Sequence, residues 1–254
     1  MGGAEPGAER LKIKYAIVTD IHGNVEAFDI ALAQIGAGDV LWCLGDIVGY
    51  GPNPNECVDK VRERGGVTVM GNHDLAAIEN FGVEWFNSAA QQAIKWTQGV
   101  LSPENSKWLG TLDYEHRDAD YLLVHGAPHP DYFAYITDKE SARRSFESTD
   151  ATLIFIGHTH LAEMYALAPD GAIAHRHFQY GGTAQLEEGY RYIINVGSIG
   201  QPRDLNPQAS FGIYDSEKRS IEVIRFDYPI AAVQEKIECA HLPDVLARRL
   251  GMGR

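Results

Sequence analysis

Short apolar runs recur along the chain, and each stops abruptly at Gly, Asp, Asn or His: KYAIVTDIHGN, DVLWCLGDIVG, VTVMGNHD, YLLVHGAP, TLIFIGHTH and YIINVGSIG. Runs this short, rich in Val, Ile, Leu and Tyr and closed by Gly, predict buried strands rather than helices. Between several of them the period lengthens. After Asn24, well placed as an N-cap, VEAFDIALAQIG puts Phe28, Leu32 and Ile35 on one helical face. NPNECVDKVRERGG predicts a second helix, with Asn55 as a cap residue and Gly65-Gly66 as its stop.

Residues 85–111 predict two further helices divided by a turn at SPENSKW, and 137–147 predicts a short one. Strand and helix thus alternate to about residue 80, a helical excursion follows, and the sheet resumes near Tyr121. Beyond Ile154 the segments EMYALAPDGAIAHRH, RYIINVGS, SFGIYDSEK and RSIEVIRFDY predict antiparallel strands, with a hairpin turn at Asp215 to Lys218. From Ile230 the pattern is amphipathic and helical, interrupted around Pro243. There is no repeat of fixed period and no low-complexity linker, so the pattern favours one domain of two packed sheets flanked by helices. The expected boundaries are a flexible tail over 1–11, the domain over 12–228 with its helical excursion at 81–111, and a C-terminal helical extension over 229–254 packed on the same domain.

Composition narrows the partners. A chain of 254 residues that is 44% hydrophobic can bury a large core. Its formal charge of -13, from 35 acidic against 22 basic residues, argues against nonspecific attraction to nucleic acid or anionic lipid. A phosphorylated substrate stays compatible, because a local cation can reverse the field inside one cleft. Cys43, Cys57 and Cys239 are few, odd in number and outside any CxxC pair, which points to a reducing, cytoplasmic setting. No segment has the length of a membrane span, and MGGAEPGAERLKIK lacks the apolar core of a secretory signal.

The polar residues that close the strands carry the chemistry. In open α/β sheets the ligand crevice lies beyond the carboxyl ends of the strands, where residues distant in sequence converge. Asp20 and His22 follow the first run, one residue apart, and point the same way if the backbone stays extended. Asp46 follows the second, Asn72 and His73 the third, His125 the fourth, and His158 with His160 the fifth. Each alone has an ordinary use, as a helix cap, an Asx turn or a hydrogen-bonded core histidine. Separate caps do not require His after several different strands. Carboxylates, an amide and imidazoles without sulfur form a ligand set for Zn, Mn, Fe or Ni. There are more of them than one tetrahedral ion uses, whereas two ions about 3.5 to 4 Å apart sharing a carboxylate would employ them all.

TDIHGN, LGDIVGYG, MGNHD, VHGAP and IGHTH, in that order over 19–160, with NVGSIGQPR at 195–203, resemble the calcineurin-like metallophosphoesterase superfamily, in particular its compact bacterial phosphodiesterase branch. The resemblance implies an α/β fold, a four-layer α/β/β/α sandwich with two central mixed sheets. It implies two divalent transition-metal ions, manganese favoured for activity, with Asp20, His22 and His160 on one, Asn72, His125 and His158 on the other, and Asp46 bridging. His73 would protonate the leaving oxygen or stabilise negative charge, and Asp74 would orient or polarise it; the alternative is that both simply begin the next helix. Arg203 is a candidate phosphate contact, with an ion pair to Asp204 as the competing use. Tyr50, in a Gly- and Pro-rich loop with Asn53, is a candidate for shaping substrate access.

The implied activity is hydrolysis of a phosphate ester by metal-bound water or hydroxide, with phosphodiesterase activity leading and a phosphomonoesterase or serine/threonine protein phosphatase as alternatives. Cleavage of a dinucleoside polyphosphate and a noncatalytic metal-binding scaffold rank lower. The expected partner is a small phosphate ester or diester, nucleotides included, with no stable nucleic-acid partner. Phe81, Trp85, Phe86, Trp96 and Trp108 in the excursion suit helix packing first, and a homodimer contact or lid second.

Overall fold

The computed structural model describes residues 13–254; the tail expected over 1–11 lies outside the described residues. Two six-stranded sheets form its centre. The first has the order β3 (Val67–Thr68), β2 (Val40–Cys43), β1 (Lys14–Val18), β11 (Ala209–Asp215), β12 (Ser220–Phe226) and β9 (Gly182–Gln185). The second has the order β4 (Glu115–Arg117), β5 (Tyr121–Val124), β6 (Leu153–Ile156), β10 (Arg191–Val196), β7 (Ala162–Leu167) and β8 (Ile173–His177). Parallel pairing joins β1 to β2 and β2 to β3 in one sheet, and β5 to β6 and β6 to β10 in the other. The remaining neighbours are antiparallel, so both sheets are mixed.

The runs in β1 from Ala16, β2, β5 and β6 are apolar at successive positions because both faces are covered. In β1, Ala16 and Val18 pack toward helices while Ile17 packs toward the other sheet, all fully buried. The interlayer core brings Ile17, Trp42 and Val223 of one sheet against Leu123, Phe155 and Ile194 of the other, with the Trp42 and Phe155 rings 5.2 Å apart. Helices α1 (Val25–Gln34), α2 (Pro54–Arg64), α3 (Asn72–Glu79), α4 (Ser88–Val100), α5 (Pro103–Leu109), α7 (Ile230–Cys239) and α8 (Asp244–Leu250) contribute to the core on the outer face of the first sheet. Helix α6 (Lys139–Glu147) covers the second through Ala142 and Phe146. The result is the four-layer α/β/β/α sandwich that the resemblance implied. No helix among the described residues is long and apolar enough to cross a membrane.

Several local expectations need correction. SPENSKW is no turn: Ser102 accepts a hydrogen bond from the Asn105 amide and Pro103 opens α5, so the serine that looked like a break is the cap of the next helix. Asn55 caps nothing in α2, whose cap position is Asn53; instead its side chain reaches Val100 O and the Ser102 amide, tying α2 to the α4–α5 junction. In α1, with Asn24 capping as expected, the residues buried beside Phe28 include Ala31, and Leu32 is only half-buried. The second sheet resumes at Glu115 rather than near Tyr121, and β9 had no signal, its GTAQ being neither apolar nor alternating.

Candidate metal centre

The parallel strands β1, β2, β3, β5, β6 and β10 deliver their following loops to one place, between the sheets. There the backbone leaves the extended region. Asp20, His22, Asp46, Tyr50, His158 and His160 all have positive φ, between 48° and 66°. This conformation costs a non-glycine residue free energy and persists only where the surroundings enforce it. It also corrects the expectation that Asp20 and His22 converge by extended alternation; they converge through left-handed turns. Enforcement comes from backbone bonds between loops: Asp20 N to Gly45 O at 3.0 Å, His22 N to Asp46 O at 2.9 Å, Gly200 N to Asp20 O at 2.8 Å and Gly157 N to His125 O at 2.7 Å. Close approach demands glycine at two of these loops. A Cβ on Gly71 would sit 2.1 Å from Asp46 N, and one on Gly157 1.9 Å from Thr19 Oγ1.

Two ligand groups result, Asp20, His22, Asp46 and His160 in one and Asp46, His125 and His158 in the other, every residue buried. His22, His125 and His160 each turn Nδ1 to a backbone carbonyl, Val48 O at 3.0 Å, Leu44 O at 2.7 Å and Gln201 O at 2.6 Å. An Nδ1–H donated to a carbonyl leaves the Nε2 lone pair directed inward, the usual arrangement of imidazole ligands. Accordingly His22 Nε2 and His160 Nε2 face each other at 3.2 Å, two acceptors aimed at common space. Asp20 Oδ2 is held by the Thr19 hydroxyl and the His158 amide, while Oδ1, 3.2 Å from His160 Nε2, is buried without a hydrogen bond among the described residues. Asn72 Oδ1 lies 3.1 Å from His125 Nε2 and joins the second group. The two oxygens of Asp46 have different partners. Oδ1 accepts the His73 amide at 2.8 Å, and Oδ2 lies 3.3 Å from His125 and 3.6 Å from His22, between the groups.

The charges are unbalanced without cations. Asp20 and Asp46 are buried, and among the described residues neither pairs with Lys or Arg. Burial opposes ionisation of Asp46, yet His125, His73 and His22 hold it well below the usual carboxylate range. Burial likewise opposes charge on His125, but Asp46 and Asp20 lift it to about 9. His158 is pushed down to about 3, by burial and then by His125. The buried carboxylates thus draw positive charge to this point, and the oxygen and nitrogen donors around it fit two divalent ions.

The other expected residues gather at the same place. His73 is buried, its ring 4.8 Å from that of His22, 4.4 Å from Tyr50 and 4.6 Å from Phe86, and its Nδ1 has no hydrogen-bond partner among the described residues. Burial pushes its pKa down to about 4, with Arg203 and neighbouring imidazoles adding to the effect against Asp46. No hydrogen bond joins Asp74 to the His73 ring among the described residues. Asp74 Oδ1 accepts the Ile47 and Val48 amides at 2.9 and 3.0 Å and its Oδ2 the Gly71 amide, so it braces the loop carrying Asp46. Its carboxyl is raised to about 7 by burial and then by Asp46.

Arg203 has no ion pair to Asp204, which pairs with Arg225 instead. Its guanidinium donates to Gln201 Oε1 at 2.9 Å and lies over the Tyr50 ring at 5.6 Å, with Nε buried and unpartnered among the described residues. Arg249 of α8 approaches the same ring at 5.8 Å. Sequence reasoning missed Arg249, since nothing in an amphipathic helix near the end of the chain marks it for the site.

A cleft of about 570 Å³ opens on Asn72 and His158. Phe81, Trp85, Phe86, Tyr132, Phe133 and Tyr135 are among its walls. Tyr135 stacks on His158 at 3.9 Å, and Phe81 and Trp85 are exposed. The aromatic excursion thus divides: Trp96 and Trp108 pack against the core while Phe81, Trp85 and Phe86 face the cleft. Tyr132 to Tyr135 had no signal in the sequence beyond aromatic content.

The profile of calcineurin-like phosphoesterases matches residues 13–162. An uncharacterized protein of Methanocaldococcus jannaschii is 36% identical over 251 residues, 96% of this chain and 100% of that protein. A symmetrical bis(5'-nucleosyl)-tetraphosphatase of Actinobacillus pleuropneumoniae is 30% identical over 191 residues, 71% of this chain but 65% of its own length. The crystal structure of a metallophosphoesterase from Sphaerobacter thermophilus superposes with a TM-score of 0.85 at 36% identity, covering 96% of this chain and 100% of that one. A hypothetical protein from Pyrococcus horikoshii shares the fold at a TM-score of 0.76 and 18% identity, covering 95% and 99% of the two chains.

Proposed function

This chain belongs to the calcineurin-like phosphoesterase family and is a metal-dependent phosphoesterase with a binuclear site, and from that premise we propose that it is a phosphodiesterase acting on small esters that carry an aromatic group, nucleotides among them. The observation that carries this reading is the continuity of the buried ligand groups with a cleft walled by Trp85, Phe86 and Tyr135. Aromatic walls give stacking surface to a base, and the donors beneath take its phosphate.

Asp20, His22 and His160 would hold one ion and Asn72, His125 and His158 the other, with Asp46, common to both groups, serving each. The donor set suits Mn, Fe, Zn or Ni, with manganese our choice for activity. Bound there, the ions supply an activated water and neutralise charge on the phosphate. His73 acts on the leaving oxygen, Arg203 binds nonbridging phosphate oxygens, Asn72 also contacts the phosphate, and Tyr50 holds the Arg203 guanidinium in place. Asp74 is a positioning residue. Phe81 and Trp85 are assigned to substrate rather than to a homodimer contact, because they line the cleft. All three cysteines are free, in keeping with a reducing compartment such as the cytoplasm.

A second reading is favoured by the activity for which the tetraphosphatase relatives are named: cleavage of a dinucleoside polyphosphate, one base in the aromatic cleft. A manganese-loaded hydrolysis panel separates the alternatives. Turnover of linear or cyclic nucleotide diesters above phosphomonoesters and phosphopeptides supports the lead, and faster turnover of diadenosine tetraphosphate supports the second reading. A preference for phosphopeptides overturns both in favour of a protein phosphatase, and metal uptake without turnover of any substrate would leave a scaffold.

A further inference from the structure

A second set of metal-ligating side chains lies away from the binuclear centre, on the hairpin of β7 and β8. Cross-strand register places Glu163 opposite His177 and Tyr165 opposite His175. Alternation along β8 puts His175 and His177 on one face, and Glu163 reaches the same face from β7. It is the outer face of the second sheet: the neighbouring Ala162 and Met164 turn into the core between the sheets, while Tyr165 packs on the side covered by α6. The three ligand atoms lie within 4.8 Å of one another.

The local chemistry is incomplete without a cation. Glu163 is 2% exposed. Its Oε2 lies 2.7 Å from His175 Nε2 and 3.6 Å from His177 Nδ1, too long in the second case for a hydrogen bond. Among the described residues its Oε1 is buried without a well-formed hydrogen bond, and the one group close enough to act on it is the Tyr165 hydroxyl. A plain His–Glu bridge would account for His175 and for one oxygen. It leaves the other oxygen desolvated and makes no use of His177, which the register already sets across from Glu163 with its ring 4.3 Å from that of His175. Tyr165 stacks on His175 at 4.2 Å and 10°, fixing that imidazole as a supporting residue fixes a ligand. Burial, and after it the exposed and solvent-screened Lys139 at the start of α6, oppose positive charge on His175.

We propose that Glu163, His175 and His177 form a third divalent-metal site, for a borderline transition ion such as Zn²⁺, Co²⁺ or Ni²⁺. Two imidazoles and one carboxylate match such ions and not Mg²⁺ or Ca²⁺, which take oxygen. With His177 65% exposed, remaining coordination positions face solvent. The site is built on one hairpin, so its ion exchanges independently of the buried pair and takes no part in hydrolysis.

The test is metal stoichiometry on the full chain equilibrated with Zn²⁺ or Co²⁺, read by elemental analysis and, for Co²⁺, by visible absorption. His177→Ala, at an exposed position, should bind one equivalent less than the unsubstituted protein, lose the matching absorption component and keep turnover within twofold. In an Asp46→Asn background, where the buried pair is impaired, one equivalent should still disappear on adding His177→Ala; this arm stands whether or not the protein proves to be a phosphodiesterase. Equal stoichiometry and spectra with and without His177, in either background, would overturn the proposal. So would Glu163→Gln retaining the third equivalent.

Discussion

The centre between the sheets and the Glu163 cluster on the outer hairpin are both made of carboxylate and imidazole, but they are held together differently. The first draws its ligands from the loops after five strands, with five of them in left-handed backbone and three imidazoles oriented by carbonyls. The second needs only the register of two neighbouring strands, in extended conformation. A local hairpin can gather ligands at little conformational cost, and it leaves them accessible. Gathering them from distant segments costs backbone strain and buried charge, and it returns a fixed, water-excluding geometry in which electrostatic effects are strong.

The sharpest way to break this comparison is Asp46→Asn. Oδ2 is the one oxygen placed between both ligand groups, so its change to an amide should lower turnover on the order of 10³-fold and remove one or both buried ions. Steady-state kinetics with elemental analysis checks both, and near-normal turnover with full metal content would show that the two groups do not depend on a shared carboxylate.

A smaller effect is expected at His73, which touches the site without belonging to either ligand group. His73→Ala should keep the metal content and slow esters with poor leaving groups by about 10²-fold or more. Activated aryl esters should suffer less, because their leaving oxygen needs no proton. Equal slowing across the series would assign His73 to packing rather than to the leaving group.

The smallest effect belongs to the rim. Trp85 is 74% exposed, so Trp85→Ala should change stability by no more than about 0.5 kcal/mol. If a base stacks in the cleft, KM for nucleotide substrates should rise about fivefold or more, the equivalent of about 1 kcal/mol of stacking, while kcat and the KM of small alkyl esters stay unchanged. A common rise for every substrate would detach the aromatic wall from recognition of a base.

Much of the site was legible because its residues punctuate strands. Asp20, Asp46, Asn72 and His125 each follow an apolar run, and such runs are readable from local composition alone. Asp74 shows the limit. Its place beside His73 suggested a polarising contact, but the fold turned its carboxylate to the amides of Ile47, Val48 and Gly71. The competition between Arg203 and Asp204 was likewise settled by Arg225, which approaches from a strand more than twenty residues later. Ser102 misled for a local reason, since the same residue type starts helices and marks turns.

The sequence by itself determined which residues could do chemistry, where strands end and that the core is shared by two sheets, because hydrophobic period and chain punctuation are local properties. Only the tertiary structure decided which of the gathered groups point inward, which oxygen of Asp46 lies between the two groups, and that Arg249, Tyr135 and the Glu163 cluster stand where they do. Those outcomes depend on side-chain direction at left-handed turns and on contacts between segments far apart along the chain, and no nearest-neighbour pattern encodes either.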